Sequence, residues 1–368
     1  MSTIRSFIKR EPVLLIAALA AVLSCLAVPP DAEYLSYFDF RTLALLYCLM
    51  VIVSGLRQAG LFSSLAHTLC RRASSVRAMG LILVLLCFFS AMFITNDVAL
   101  LTFVPFAVVV LGIADRRKDL IHIVVLQTVA ANLGSMLTPV GNPQNLYLYS
   151  FYDLRIEEFL SVMFPFSALS LVLISAICFV LSNEPLHLQL GESPEIHWRR
   201  LWFFSALFLL CLLVVVRVLT WPVMLAAVLL ALLATDRKAL RRADFMLLLT
   251  FAAFFIFAGN LARVEAMDKL LRSILAGREY LTALLASQVI SNVPAALLLA
   301  DFTDQFRSLL LGVNIGGLGT PIASLASLIS MKLYSHSEHA RLGRYLLEFS
   351  LVNVLLLLLL SFLEVPMP

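Results

Sequence analysis

Asn132 to Asn145 reads NLGSMLTPVGNPQN, and Asn314 to Ser327 reads NIGGLGTPIASLAS. Aligned without a gap, Asn132 falls on Asn314, Gly134 on Gly316, Thr138 on Thr320 and Pro139 on Pro321, all at one offset of 182 residues. Each stretch carries polar, helix-breaking residues where a membrane helix should be apolar. Upstream of each lies a second polar interruption, Thr95-Asn96-Asp97 and Ser291-Asn292-Val293. Unpaired backbone in hydrocarbon costs several kcal/mol per group, so non-helical segments at that depth line protected cavities. Interrupted hydrophobic segments at matching places in two halves of a chain point to the binding site of a secondary transporter.

Composition sets the environment. A chain of 368 residues that is 61% hydrophobic and 14% charged, with a mean hydropathy of +0.97, is too apolar for a soluble domain and belongs in a bilayer. The net charge of +4 comes from basic residues clustered in a few loops. It reports membrane orientation, and no nucleic-acid partner is expected. The six cysteines are scattered, form no CxxC pair and read as small buried hydrophobes. Val22-Leu23-Ser24-Cys25 faintly resembles a lipoprotein cleavage site, but a protein with many later spans has more use for an uncleaved first helix.

Apolar runs near spanning length fall at about 13–29, 43–56, 160–181, 201–217, 222–234, 244–260 and 345–363. Charge assigns the remaining segments. Arg5, Lys9 and Arg10 put the N-terminus in the cytoplasm of a bacterial inner membrane, and Asp31, Glu33 and Asp39 follow outside. Arg57, Arg71, Arg72 and Arg77 lie inside, as do Arg116, Arg117 and Lys118, so the segment 79–111 enters and leaves on one side. The segment 120–150 crosses outward to Asp153, Glu157 and Glu158. Arg237, Lys238, Arg241 and Arg242 return to the cytoplasm. The segment 280–302 is then a second hairpin, entering from outside, and 308–331 leads back to Lys332, Arg341 and Arg344.

The expected fold is an all-α polytopic membrane protein of two inverted repeats, each with a re-entrant helical hairpin and a broken transmembrane helix. The first repeat is 1–182, with a hairpin at about 79–111 and a broken helix at about 120–150. A cytoplasmic linker covers 183–200. The second repeat is 201–368, with a hairpin at about 280–302 and a broken helix at about 308–331. Residues 61–78 and 261–279 mix apolar and charged positions at helical spacing and read as interfacial helices.

The chemistry follows from helices that stop in mid-membrane. Such helices expose N–H groups at one end and C=O groups at the other; N-terminal dipoles attract an anion, and free carbonyls with hydroxyls coordinate a small cation. Thr95, Asn96, Ser291 and Asn292 have suitable side chains, serving either as ligands or as helix caps. Pro139 and Pro143, four residues apart, open the first broken helix. Asp97 is an intramembrane acid, a candidate for proton coupling or for completing a cation site, with an N-cap in a watery vestibule as the plainer role. No HExxH, Walker A loop or GxSxG elbow occurs, and His67, His122, His187, His197, His336 and His339 do not cluster with acids. Neither an enzyme, a cofactor nor a transition metal is expected, and the energy source is an ion gradient.

The spacing Gly134 to Asn145 and the paired tips resemble the ion transporter superfamily, which includes divalent anion:sodium symporters, citrate transporters, arsenite permeases and one class of sodium/proton antiporter. The resemblance runs from about residue 43 to 331. It implies Thr95, Asn96 and Gly141 for one sodium ion, and Ser291, Asn292 and Ala323 for another. It also implies a substrate pocket of Asn96, Asp97, Asn142, Pro143, Asn292, Val293 and Ser324, and a homodimer. This chain departs from the pattern at Asp97 and Val293, where a Thr is usual, and at Ser324-Leu325, where a Thr-Pro pair is usual. A carboxylate at the first tip repels a dianion unless it is neutralised. The expected function is ion-coupled transport of a small anion resembling a di- or tricarboxylate, with sodium or a proton as coupling ion. The alternatives are a cation/proton antiporter or arsenite-type exporter using Asp97, and, more remotely, a channel.

Overall fold

The computed structural model describes residues 11–186, 191–338 and 340–363; Arg5, Lys9, Arg10, His187 and His339 lie outside the described residues. Among the described residues the chain is all-α, with one isolated β-bridge between Ser75 and Pro185. The first half holds α1 (Pro12–Ser24), α2 (Phe40–Gln58), α3 (Leu61–Cys70), α4 (Val76–Ile94), α5 (Asn96–Ile113), α6 (Leu120–Ser135), α7 (Pro143–Phe151) and α8 (Ile156–Cys178). The second holds α9 (Trp198–Val215), α10 (Trp221–Thr235), α11 (Phe245–Arg263), α12 (Glu265–Leu275), α13 (Glu279–Ile290), α14 (Asn292–Leu299), α15 (Phe306–Ile315), α16 (Leu325–Ser335) and α17 (Leu342–Phe362). Seven of these, α2, α4, α5, α8, α9, α11 and α17, are long and apolar enough to cross a membrane.

Corresponding helices of the two halves start in the same way. Asp39 accepts the Thr42 N–H at 2.9 Å to cap α2, and Asp244 accepts the Leu247 N–H at 3.0 Å to cap α11. Both acids sit at the positive end of a helix dipole, where a carboxylate is stabilised. The amphipathic α3 and α12 fall within the two stretches expected to be interfacial.

Two expected spans come out short. The run at 13–29 is helical only over the 13 residues of α1; turns carry the chain on to Val28, and Pro29-Pro30 follow. At ~1.5 Å per residue α1 is ~20 Å long, against ~30 Å of hydrocarbon. The 15 residues of α10 are likewise short. The hairpins are also unequal. The arms of the first, α4 and α5, have 19 and 18 residues and are each long enough to span, whereas α13 and α14 have 12 and 8.

Around the broken helices the packing is tightest. Every residue of α6 except His122 is buried, so this helix is apolar all round because it is surrounded all round. By contrast α8, α9, α10 and α17 leave Val172, Leu209, Leu230 and Leu358 exposed, as a lipid-facing surface requires. His122 of α6 pairs with Glu348 of α17, and several loop ion pairs join residues expected on the same side of the membrane. Arg117 meets Glu338 at 2.9 Å, Arg200 meets Asp236 at 3.1 Å, and Arg116 meets Glu184. On the opposite side Arg263 meets Asp31 at 2.7 Å and Arg217 meets Asp153 at 2.6 Å. The described parts of the stretch 183–200 do not hang free: the His197 N–H reaches the Ala59 carbonyl at 2.9 Å, and His67 Nε2 lies 2.9 Å from the Gly191 carbonyl.

Candidate functional site

Both hairpins turn on one residue held in the same unusual backbone conformation. Thr95 has φ 67° and ψ 152°, and Ser291 has φ 74° and ψ 155°. A side chain at positive φ costs on the order of 1–3 kcal/mol, and such strain persists only where the surroundings hold it. Here the surroundings are the broken helices. The Thr138 hydroxyl donates to the Met92 carbonyl at 2.5 Å, and the Thr320 hydroxyl to the Gln288 carbonyl at 3.1 Å. Met92 and Gln288 each precede their tip by three residues, so the two staples are repeat equivalents. Gln288, which the sequence pattern did not single out, adds bonds from its amide to the Gly316 and Leu318 carbonyls at 2.7 and 3.0 Å.

The glycines of the repeat permit this approach. A Cβ on Gly134 would lie 2.1 Å from the Phe88 carbonyl oxygen, and one on Gly141 would lie 2.1 Å from the Ser135 carbonyl oxygen. Only a residue without a Cβ fits where backbone meets backbone.

At the breaks the two halves lock onto each other. Asn132, at the end of α6, accepts from the Ser324 hydroxyl at 3.0 Å and donates to the Ser327 hydroxyl at 3.3 Å. Asn314, its equivalent on α15, accepts from the Asn142 amide at 3.2 Å and donates to the Asn145 carbonyl oxygen at 2.6 Å. The pairs 132/314, 142/324 and 145/327 share the offset of 182, so the two sets of bonds match in partner and in direction. All six side chains are buried. Asn132 also accepts from the Asn96 amide at 3.1 Å, which ties the first tip into the same network. Asn132, Asn314, Asn145 and Ser327 lie inside the aligned stretches but outside the residues expected at the site. Their shared offset was the available signal.

Four helices begin at this centre. The N-termini of α5, α7, α14 and α16 fall at Asn96, Pro143, Asn292 and Leu325. Each carries roughly half a positive charge in unpaired N–H groups. Asn96, Asp97, Pro143, Asn292, Val293 and Ser324 line a single cleft between them, together with Gln144 and Leu247. With a volume of about 10 Å³ the cleft leaves room for about one water. Asn142 lies just outside it, its amide committed to Asn314 and to Ser135 at 3.2 Å.

The residues expected to hold cations are adjacent in two matching sets. In the first, the Gly141 carbonyl accepts the Asn96 N–H at 3.2 Å beside Thr95. In the second, the Ser291 hydroxyl donates to the Ala323 carbonyl at 3.3 Å beside Asn292. Each set offers a carbonyl and a hydroxyl, hard oxygen donors of the kind that suit a small alkali cation rather than a soft transition metal.

Asp97, Pro143 and Leu247 also line a cavity of about 250 Å³ that extends to Arg57, Arg242 and Asp244. A cavity of about 550 Å³ opens on the opposite side, among Asp39, Arg41, Tyr147, Arg263 and Asp301, and shares no lining residue with the cleft. Through Asp97, Pro143 and Leu247 the central cleft adjoins the cavity on the Arg57 side. Arg57, Arg242 and Asp244 were read in the sequence only as loop charges or not at all, because their approach to Asp97 depends on how α2 and α11 pack.

A family model described as "Citrate transporter" matches residues 3–305. An uncharacterized transporter of Methanocaldococcus jannaschii is 31% identical over 351 residues, covering 94% of this chain and 95% of that protein. The inner membrane protein YbiR of Escherichia coli is 31% identical over 302 residues, 80% of each chain. The crystal structure of the Alcanivorax borkumensis YdaH transporter, described as having an unusual topology, matches with a TM-score of 0.59 over 95% of both chains at 16% identity, a likeness of fold. Paired hairpins facing paired broken helices, and a family match over most of the sequence, lead to one conclusion: this chain belongs to the citrate transporter family, within the ion transporter superfamily, and is a multi-pass membrane transporter.

Proposed function

We propose that the protein is an ion-coupled secondary carrier that moves a small organic anion by alternating access through the central cleft. The observation that carries this reading is the convergence of four helix N-termini on one cleft edged by the amides of Asn96 and Asn292. Fixed dipoles and neutral amides bind a carboxylate without paying for a buried counter-charge. Sodium at the two oxygen sets beside Thr95 and Ser291, or a proton at Asp97, supplies the coupling. The narrow cleft must widen before any organic anion enters, which fits a carrier that changes shape around its substrate rather than a channel with a continuous pore. The enrichment of Arg and Lys in the loops around Arg57, Arg116 and Arg242 favours the cytoplasm for that face and the inner membrane as the location.

The test is uptake of citrate and smaller carboxylates into proteoliposomes. Asn96→Ala and Asn292→Ala should each cut uptake by about tenfold or more, the scale of losing one hydrogen bond to a charged group. Both variants transporting every carboxylate like the parent would remove the site. A second reading is favoured by Asp97, which lines both cleft and cavity: proton-coupled export or cation exchange. Asp97→Asn with an unchanged pH dependence of transport excludes that role.

A further inference from the structure

The cavity beside the cleft has a chemistry of its own. Ten of its eighteen lining residues are Leu, Ile, Val or Met, drawn mainly from α2, α5, α7 and α11, and include Leu49, Met50, Val53, Leu101 and Leu247. At about 250 Å³ it falls just below the ~300–1,000 Å³ of drug-sized sites. Its charged groups are Arg57, Arg242, Asp97 and Asp244. Arg242 is engaged, meeting Asp236 at 3.2 Å, and Asp236 also takes Arg200. The side chain of Arg57, at the last turn of α2, forms no hydrogen bond or ion pair among the described residues.

The cavity therefore offers one guanidinium without an ion pair, a hydrocarbon wall and two carboxylates. A ligand with one negative charge and an apolar body satisfies all three. A second carboxylate on the same ligand would be driven toward Asp97 and Asp244, where like charges repel. A neutral ligand would leave Arg57 unused.

We propose that this cavity is a vestibular subsite for a monocarboxylate with a short hydrocarbon body, its carboxylate on Arg57 and its chain along α2 and α11, next to the central cleft. The proposal rests on the carrier reading for its role in transport, and it narrows the substrate from carboxylates in general to those with one charge.

The experiment uses the full chain in nanodiscs of neutral phosphatidylcholine, so that no anionic lipid headgroup competes, with hexanoate, hexanol and citrate as probes at matched ionic strength. Hexanoate should bind the parent, hexanol should not displace it, and Arg57→Gln should weaken hexanoate about tenfold or more. Met50→Trp, which fills the cavity from α2 and leaves Arg57 in place, should weaken hexanoate too. Arg57→Lys should restore part of the affinity through charge alone. Hexanoate binding that is absent, or equal in parent and Arg57→Gln, overturns the proposal, as does citrate binding at Arg57 more tightly than hexanoate. Citrate uptake that needs Asn292 but not Arg57 sinks the proposal while the carrier reading stands. Hexanoate binding that depends on Arg57, in a protein that transports no carboxylate, upholds the subsite and sinks the carrier reading.

Discussion

Asn132→Ala combined with Ser324→Ala probes the lock between the two halves. The Asn132 carbonyl oxygen takes two buried donors, the Ser324 hydroxyl at 3.0 Å and the Asn96 amide at 3.1 Å, and its amide reaches the Ser327 hydroxyl at 3.3 Å. Truncation strands those partners. An orphaned buried polar group costs ~1–3 kcal/mol, but hydrogen bonds between membrane helices average only ~0.6 kcal/mol and reach ~1.7. With three bonds lost and two donors left without an acceptor, Asn132→Ala should destabilise by about 2–3 kcal/mol. Part of that cost is shared with Ser324, so the double-mutant cycle should give a coupling of about 0.6–1.7 kcal/mol. The mirror cycle, Asn314→Ala with Asn142→Ala, should give a similar value, since Asn142 donates to Asn314 at 3.2 Å in the same sense. Pairing Asn132→Ala with Asn260→Ala, whose amide bonds Ser24 and Tyr34 instead, should give a coupling within ~0.5 kcal/mol of zero. The assay is reversible unfolding of the purified protein in mixed micelles with increasing SDS. An Asn132/Ser324 coupling no larger than that of the control pair would refute the network.

Two further outcomes follow from geometry and charge. Gly134→Ala should abolish folded protein, because the new Cβ meets the Phe88 backbone oxygen at 2.1 Å, while Gly112→Ala in the open should be harmless or gain up to ~1 kcal/mol of helix propensity; size-exclusion of tagged protein from membranes reads both. The Arg217 guanidinium beside Asp153 holds that carboxyl below its ordinary value of 3.8. The stabilisation is therefore present above pH 3.8 and disappears as the pH falls through the lowered value. The pair is largely exposed, so its size is below ~1 kcal/mol. The stability gap between the parent and Asp153→Asn should be largest near neutrality and close at the acid end of a titration.

Much of the architecture was legible because the bilayer makes polar interruption expensive. A Thr-Asn or Gly-Asn-Pro inside an apolar run has few uses, and two copies at one offset have fewer. Helix ends were less legible. The run at 13–29 has the hydropathy of a span, but α1 gives way to turns after Ser24, a local change that composition does not register. The reach of the site toward Arg57 and Asp244 was hidden for a different reason. Both residues sit at helix ends where charge is ordinary, and only the packing of α2 against α5 and α11 brings them to the cavity that Asp97 lines. The lock itself was half visible: the matched Asn132 and Asn314 were in plain sight, but the sequence does not say that each bonds the other half rather than its own.

The reciprocal lock has a consequence for how the protein is made. A chain inserted from its N-terminus brings Asn132, Asn142 and Asn145 into the membrane long before Ser324, Ser327 and Asn314 exist to meet them. During that interval the first break holds polar groups whose folded partners are still being synthesised, and hydrocarbon offers them nothing. The first half must therefore wait wet or shielded, by water, by the insertion machinery or by its own loose packing. Bonds within the first half, from Asn96 to Asn132 and from Asn142 to Ser135, can form early, but the lock between the halves closes only when the second broken helix arrives.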